Sequence, residues 1–95
     1  MAVIVGTLTL DLYVSDALSL KDKRQTVRGF KDRIRKRYNA AVAELEFQDK
    51  WQRTVIGIAT LNSRPRIVEE VLGRILSDAR NFAEWEIAAH EIRYV

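Results

Sequence analysis

Basic side chains are concentrated in one short segment of this 95-residue chain. Residues 20–38 hold nine of the 16 Lys and Arg residues but only two of the 13 acidic residues, so this segment carries +7 and the remainder −4. The net charge of +3 therefore hides a strongly dipolar molecule. Because Arg and Lys are the side chains that bind phosphate groups, a polyanion is the first class of partner that this pattern indicates.

The spacing of these residues predicts a helix with a cationic ridge. At about 100° per residue, five cations separated by three or four positions lie within about 80° of one another. Like charges at this spacing repel one another, so the ridge does not serve helix stability. A phosphate backbone would turn that cost into affinity through the release of counterions. The predicted ridge consists of Lys21, Arg24, Arg28, Lys31 and Arg35.

Lys23 falls inside the apolar arc of the same helix, next to Arg24. We expect it to leave the core edge from its place in the first turn, although a carboxylate partner would also satisfy it. Since helix N-termini attract anions, Lys23 joins the ridge in the predicted nucleic-acid-binding set. A phosphate-handling enzyme centred on Lys23 and Arg24 is an alternative, but residues 15–19 (SDALS) lack the glycine and arginine of an acylphosphatase-like phosphate loop.

The elements that must position these cations follow from hydrophobic periodicity. Ser19 and Asp22 have the spacing of a capping box, so the first helix should start there and run to about Tyr38. Ser63 is expected to cap a second helix with Pro65 in its first turn. Strand patterns occupy residues 3–14, 40–48, 53–62 and 84–95, the last with a bulge.

The order βαββαβ predicts a ferredoxin-like α+β fold formed by a single domain of residues 1–95. In this fold two helices cover one face of a four-stranded antiparallel sheet, and the other face is open. We expect the strand over residues 40–48 to turn its more apolar side inward, which places Glu44 and Glu46 on the open face. The predicted inward side chains are Ala41, Ala43, Leu45 and Phe47.

The open sheet face does not have the pattern of a single-stranded RNA platform. Its central strands offer Val, Ile and Thr, with no aromatic side chain on which bases would stack, and its acidic border would repel phosphate. Exposed apolar patches usually mark interfaces, so we expect a homo-oligomer formed through the sheet or its edge. A second candidate partner site is the hairpin turn, where Trp51, Gln52 and Arg53 gather; the alternative is that they close the end of the core.

Several chemistries are disfavoured by composition. The chain has no Cys, so thiol chemistry is excluded and a reducing cytoplasm is the expected location. No apolar run approaches the ~20 residues of a membrane helix, so no membrane partner is expected. His90 is the only histidine and no carboxylates form an acid–base motif, so we predict no catalytic residue, no metal site and no cofactor.

Four short stretches carry a resemblance to a known family: residues 19–24 (SLKDKR), Tyr38-Asn39, residues 48–53 (QDKWQR) and residues 56–59 (IGIA). With them the chain resembles, over nearly its whole length, the YlxP-like family of small bacterial proteins of unknown function. The resemblance implies a ferredoxin-like fold and genes found among those for translation initiation and ribosome maturation. It implies no catalytic residue.

These features predict a non-catalytic cytoplasmic protein that binds ribosomal or other structured RNA. The basic helix would contact the phosphate backbone, with little sequence preference. The alternative is an interaction module whose basic helix meets an acidic protein surface, including the Glu44 and Glu46 face of a second copy.

Overall fold

The structure is a computed structural model that describes residues 1–95. Six elements form a four-stranded antiparallel sheet in the order β2-β3-β1-β4 with two helices, which confirms the predicted ferredoxin-like fold. Both helices lie on one face, and the other face is open. In chain order the elements are β1 (Ile4–Tyr13), α1 (Leu20–Arg37), β2 (Ala41–Glu46), β3 (Arg53–Asn62), α2 (Pro65–Arg80) and β4 (Glu86–Tyr94).

The core lies between the sheet and the helices, and strict alternation in β1 builds its centre. Leu8, Leu10 and Leu12 are fully buried, while the residues between them face the open side of the sheet. α2 approaches the sheet so closely over Gly6 that an added Cβ there would lie 2.5 Å from Val68 Cγ1. Glycine is therefore required at this crossing for α2 to reach its observed depth.

α1 begins and ends close to its predicted boundaries. The Ser19 hydroxyl accepts a hydrogen bond from the Asp22 amide at 3.1 Å, as a capping box requires. The Asp22 carboxylate accepts from the Leu18 amide at 3.0 Å, one residue earlier than the standard motif. At the other end the Tyr38 amide still donates to the Ile34 carbonyl, and Tyr38 itself is extended.

The prediction that Ser63 caps α2 is wrong. The N-cap is Arg64, which makes no capping bond through its side chain, and Pro65 is the first helical residue. The Arg64 amide donates instead to the Asn62 side-chain oxygen at 3.1 Å. Proline at the first position needs no amide partner, so α2 starts without the expected serine cap.

The inward face of β2 is the opposite of the predicted one. Val42 is buried and Glu44 half-buried toward the helices, whereas Ala41, Ala43 and Leu45 are exposed on the open face. A bulge at Leu45 follows, because Glu44 pairs with Ile56 and Glu46 with Val55. Counting apolar residues favoured the alanine side, but a buried ammonium under β2 requires the Glu44 carboxylate on the inner side.

β4 contains the predicted bulge. Its register against β1 shifts between the pairs Asp11–Ala89 and Leu12–Ile87, which leaves Ala88 as the extra residue. The shift explains why apolar residues change parity along this strand. From Ala89 to Tyr94 the pairing with β1 is regular.

Replacing Tyr38 by Phe is expected to reduce the loss of stability in strong alkali. The Tyr38 hydroxyl donates to Asp78 at 2.7 Å, and burial followed by this hydrogen bond raises the pKa of the phenol above its ordinary value. The folded protein therefore keeps the phenolic proton in a pH range where the unfolded chain loses it. This stabilisation is complete below about pH 10 and disappears as the pH rises through the folded pKa.

Urea unfolding at pH 8 and above pH 10 measures this effect. Tyr38→Phe should lose less stability between the two conditions than the wild-type protein, while Tyr94→Phe, at an exposed tyrosine, should match the wild type. Equal losses in all three proteins would contradict the assignment to Tyr38.

Candidate nucleic-acid interface

The predicted ridge lies on the solvent side of α1. The opposite, inner stripe of α1 is buried against the sheet and consists of Val27, Phe30 and Ile34. One flank of the helix carries the cations, of which Lys31 is half-buried and the others are exposed. The ridge residues, all in one row, are Lys21, Arg24, Arg28, Lys31 and Arg35.

The ridge forms one wall of a cleft between α1 and β2. The cleft has a volume of about 390 Å³ and contains Val27, Asp32 and Glu44 besides four of the five ridge cations. Lys21 lies outside it. Arg35 bridges the cleft, since its Nη2 donates to the Val42 carbonyl on the outer edge of β2 at 3.1 Å. The cleft is therefore a concave basic surface. Its cations are Arg24, Arg28, Lys31 and Arg35.

The ridge cations are not neutralised by the protein. No carboxylate oxygen lies within 4.0 Å of any of them, although five ion pairs form elsewhere in the chain. Of the two acids in the cleft, Glu44 is engaged by the Lys23 ammonium at 2.9 Å and the Thr54 hydroxyl at 2.6 Å. Asp32 is then the one acidic group left to oppose four cations, and the cleft keeps a positive potential.

Lys23 does not belong to this surface, which corrects its place in the predicted set. Its side chain is fully buried, and Nζ donates to the Phe47 carbonyl at 2.6 Å and the Arg53 carbonyl at 3.4 Å. The prediction that it leaves the core edge is wrong, because Glu44 and two carbonyls satisfy the ammonium inside. A phosphate cannot reach it in this structure, so the alternative of an enzyme centred on Lys23 loses one of its two residues.

The position of Glu44 also changes the expected acidic face. With Glu44 turned inward, the open side of the sheet has no paired Glu44 and Glu46 surface. A second copy therefore cannot offer these two carboxylates together to the basic ridge. What remains on the open face is an apolar groove of about 380 Å³ between β1, β2 and β3.

Arg53 is held in a closed cluster at the hairpin end of the open face. Its guanidinium bonds both Asp11 oxygens, at 2.8 and 2.9 Å, and lies over the rings of Tyr13 and Phe47. Hydrogen bonding to Asp11 raises the pKa of this guanidinium above its ordinary value. Phe47 takes a left-handed conformation with φ 63°, which is rare for a large side chain and turns the chain out of the bulge. Arg53 thus stabilises the turn and is not free for a partner.

Of the other two predicted partner residues, Gln52 is structural and Trp51 is exposed. The Gln52 side chain donates through Nε2 to the Ala17 carbonyl at 3.4 Å, and the backbone carbonyl of Gln52 accepts from the Val14 amide at 2.9 Å. Trp51 keeps 46% of its surface exposed and does not close the core, a role taken by the buried Trp85. The hairpin turn is therefore tied to the loop before α1.

Sequence reasoning missed the partners that place Lys23, namely the Glu44 carboxylate and the carbonyls of Phe47 and Arg53. The available signal was the lysine in an apolar arc, which needs a carboxylate within reach. The two signature segments, residues 19–24 and 48–53, meet directly through the hydrogen bond from Lys23 Nζ to the Arg53 carbonyl. No three His, Asp or Glu side chains come together as metal ligands. Neither helix is long and apolar enough to cross a membrane.

Comparisons with known proteins agree with this description. A family model described as a protein of unknown function (DUF503) matches residues 5–92. The chain is 34% identical to the uncharacterized protein YlxP of Bacillus subtilis over 82 residues, which are 86% of this chain and 89% of that protein. The predicted resemblance to YlxP-like proteins is confirmed.

Two solved structures have the same fold at low identity. The structural-genomics protein YJCS is 10% identical with a TM-score of 0.58, covering 96% of this chain and 98% of that one. The de novo designed protein Foldit4 is 12% identical with a TM-score of 0.57, covering 98% and 96%. Likeness at these identities shows the fold alone.

Proposed function

Since this chain belongs to the family of proteins of unknown function DUF503, we propose its function from the geometry of the basic cleft: it binds structured RNA, in the first place ribosomal RNA, by contacts to the phosphate backbone. The observation that carries the proposal is the row of unpaired cations along α1 beside β2. Arg24 to Arg35 spans twelve residues, whose Cα atoms extend over about 16 Å of helix, which is long enough to follow several phosphates along a strand.

The contacts that this surface offers are to the backbone of the nucleic acid. Arg24, Arg28 and Arg35 have guanidinium groups that bind phosphate in a bidentate manner, and none lies beside an aromatic platform for bases. Along the middle of the open face the central strands present Val, Thr, Gly and Ala, and their one ring, Tyr13 at the hairpin end, lies under the Arg53 guanidinium. Recognition would therefore follow the shape and charge of folded RNA, with little dependence on sequence.

The protein acts without catalysis or a cofactor in this proposal, and it acts in the cytoplasm. Arg24 is exposed on the ridge and Lys23 is buried behind it, so the two residues do not form a shared phosphate pocket. Binding and positioning of RNA need nothing beyond the cleft itself.

Recovery of nucleic acid from a cell lysate tests the proposal. Immobilised protein is exposed to lysate at low and at high salt, and bound nucleic acid is sequenced. Ribosomal RNA should be recovered at low salt and lost steeply as salt rises, because each phosphate contact depends on counterion release. Recovery of acidic proteins without RNA would contradict the proposal and favour a protein partner for the ridge.

Self-association is a second function that one observation favours. β4 is a nine-residue edge strand, and nearly all of its side chains are exposed. Long unpaired edges form hydrogen bonds with other chains unless they are protected. A homo-oligomer would also present more than one basic cleft to the same RNA and so raise avidity.

A further inference from the structure

The two edges of the sheet differ in how their backbone groups are used. On the outer edge of β2, the Val42 carbonyl accepts from Arg35 Nη2 at 3.1 Å and the Glu44 carbonyl from Gln48 Nε2 at 3.4 Å. α1 also lies beside this edge. β2 is therefore blocked against pairing with another strand.

The outer edge of β4 is open. The Val95 amide donates to the Val5 carbonyl at 2.8 Å, and residues alternate along an antiparallel ladder between bonding the neighbouring strand and pointing away. Between residues 89 and 95, the backbone amides and carbonyls of the odd-numbered residues therefore bond β1. Those of the even-numbered residues point outward, away from β1. No side chain bonds these outward groups, which belong to His90, Ile92 and Tyr94.

Beyond the bulge at Ala88, this edge lacks most of the features that usually prevent pairing. From Ala89 to Tyr94 it contains no Pro and no Lys, and every residue is exposed. On its helix-facing side Ile92 is 38% and Tyr94 53% exposed, which is unusual for apolar side chains on a sheet face that the helices cover elsewhere. The exposed strip would be buried by a strand added alongside.

We propose that β4 pairs antiparallel with β4 of a second copy, with Ile92 opposite Ile92 at the two-fold axis, so that two four-stranded sheets become one of eight strands. His90 then lies opposite Tyr94 of the other copy, and Glu91 lies opposite Arg93. All outward amides and carbonyls of His90, Ile92 and Tyr94 find partners. This inference rests on the proposed self-association and adds the surface and the register.

The charges of Glu91 and Arg93 favour this register over the two adjacent registers of the same strand pair. Outward groups meet only when even-numbered residues oppose even-numbered ones, so the strands can slide only in steps that keep this parity. The next register in one direction places Glu91 opposite Glu91, and the next in the other direction places Arg93 opposite Arg93. Like charges directly opposite are destabilising, whereas the proposed register makes two Glu91–Arg93 pairs across the axis.

Within one chain these two side chains already lie together. Glu91 and Arg93 are neighbours on the open face of the sheet and form an ion pair there. In the proposed dimer four charges of alternating sign would surround the axis on that face, with Ile92 of both copies on the other. Edge pairing buries less surface than a standard interface, so the dimer should dissociate on dilution.

A charge-reversal series tests the register by sedimentation over a range of concentrations. Arg93→Glu should weaken dimerisation about tenfold or more, because two attractive pairs become repulsive. Adding Glu91→Arg to the same chain exchanges the two charges and should restore wild-type association. Lys50→Glu, at an exposed turn residue, makes the same change in net charge and should leave association unchanged.

The possible outcomes distinguish an incorrect β4 register from an absence of self-association. If the wild-type protein dimerises and neither Arg93→Glu nor the exchanged pair changes the dissociation constant, the proposed register is wrong but self-association is still supported. A wild-type protein that remains monomeric at the highest concentrations would overturn both. Rescue by the exchanged pair is the result that supports the proposed interface.

Discussion

Replacing Lys23 by alanine is expected to lower the free energy of unfolding by about 3–5 kcal/mol, because the change leaves the Glu44 carboxylate half-buried and unpaired. The ammonium at this position is fully buried and bonds Glu44 at 2.9 Å and the Phe47 carbonyl at 2.6 Å. Its loss also removes the link between α1 and the hairpin turn. Urea unfolding followed by fluorescence of the buried Trp85 measures the change.

Two further variants isolate the pair. Lys21→Ala, at the exposed lysine two residues away, should change stability by no more than about 0.5 kcal/mol. Lys23→Met combined with Glu44→Gln should be more stable than Lys23→Ala, since no buried charge is left and the amide oxygen can still accept from Thr54. If Lys23→Ala proved as mild as Lys21→Ala, the buried pair would not stabilise the fold as described.

Reversing three ridge charges is expected to weaken binding to ribosomal RNA about 100-fold or more at moderate salt. Arg24→Glu, Arg28→Glu and Lys31→Glu together replace three phosphate contacts by repulsion in the cleft, and each charged hydrogen bond contributes about tenfold or more. Filter binding or fluorescence anisotropy with a fragment of ribosomal RNA gives the dissociation constants.

A matched triple variant on the other helix controls for net charge. Arg64→Glu, Arg66→Glu and Arg74→Glu change exposed residues of α2 and its N-cap by the same total charge. Two of these changes place acids near a helix N-terminus, where they are favourable, so folding should be retained. This variant should bind RNA within a few-fold of the wild-type protein. Equal loss in both triple variants would indicate an effect of net charge alone, not of the cleft.

The sequence predicted the elements well where periodicity was strong. The alternating leucines of β1 and the stripe of Val27, Phe30 and Ile34 in α1 place the core correctly, and the ridge positions follow from the same helical spacing. The face of β2 was predicted wrongly because its outward side carries more apolar residues than its inward side. The deciding contact, between Glu44 and Lys23, joins residues distant in sequence.

The candidate site was predicted only in part, because helical spacing is a local property and the assembly of the sheet is not. Helical geometry aligns Arg24, Arg28 and Lys31, but which strand lies beside them depends on how the sheet is assembled. The cleft against β2 and the bond from Arg35 to Val42 therefore became visible only in three dimensions. Arg53 is a residue type that often anchors a partner, yet its guanidinium stacks on Tyr13 and Phe47 of the same chain.

The salt dependence of RNA binding tests the central claim, that unpaired cations in the cleft contact phosphates, most directly. In wild-type protein the logarithm of the binding constant should fall with the logarithm of salt concentration with a slope of about −3 to −4, as expected for four or five contacts. In the triple variant of Arg24, Arg28 and Lys31 the residual slope should be shallower by about 2 to 3. A wild-type slope near zero, or the same slope in both proteins, would contradict the account.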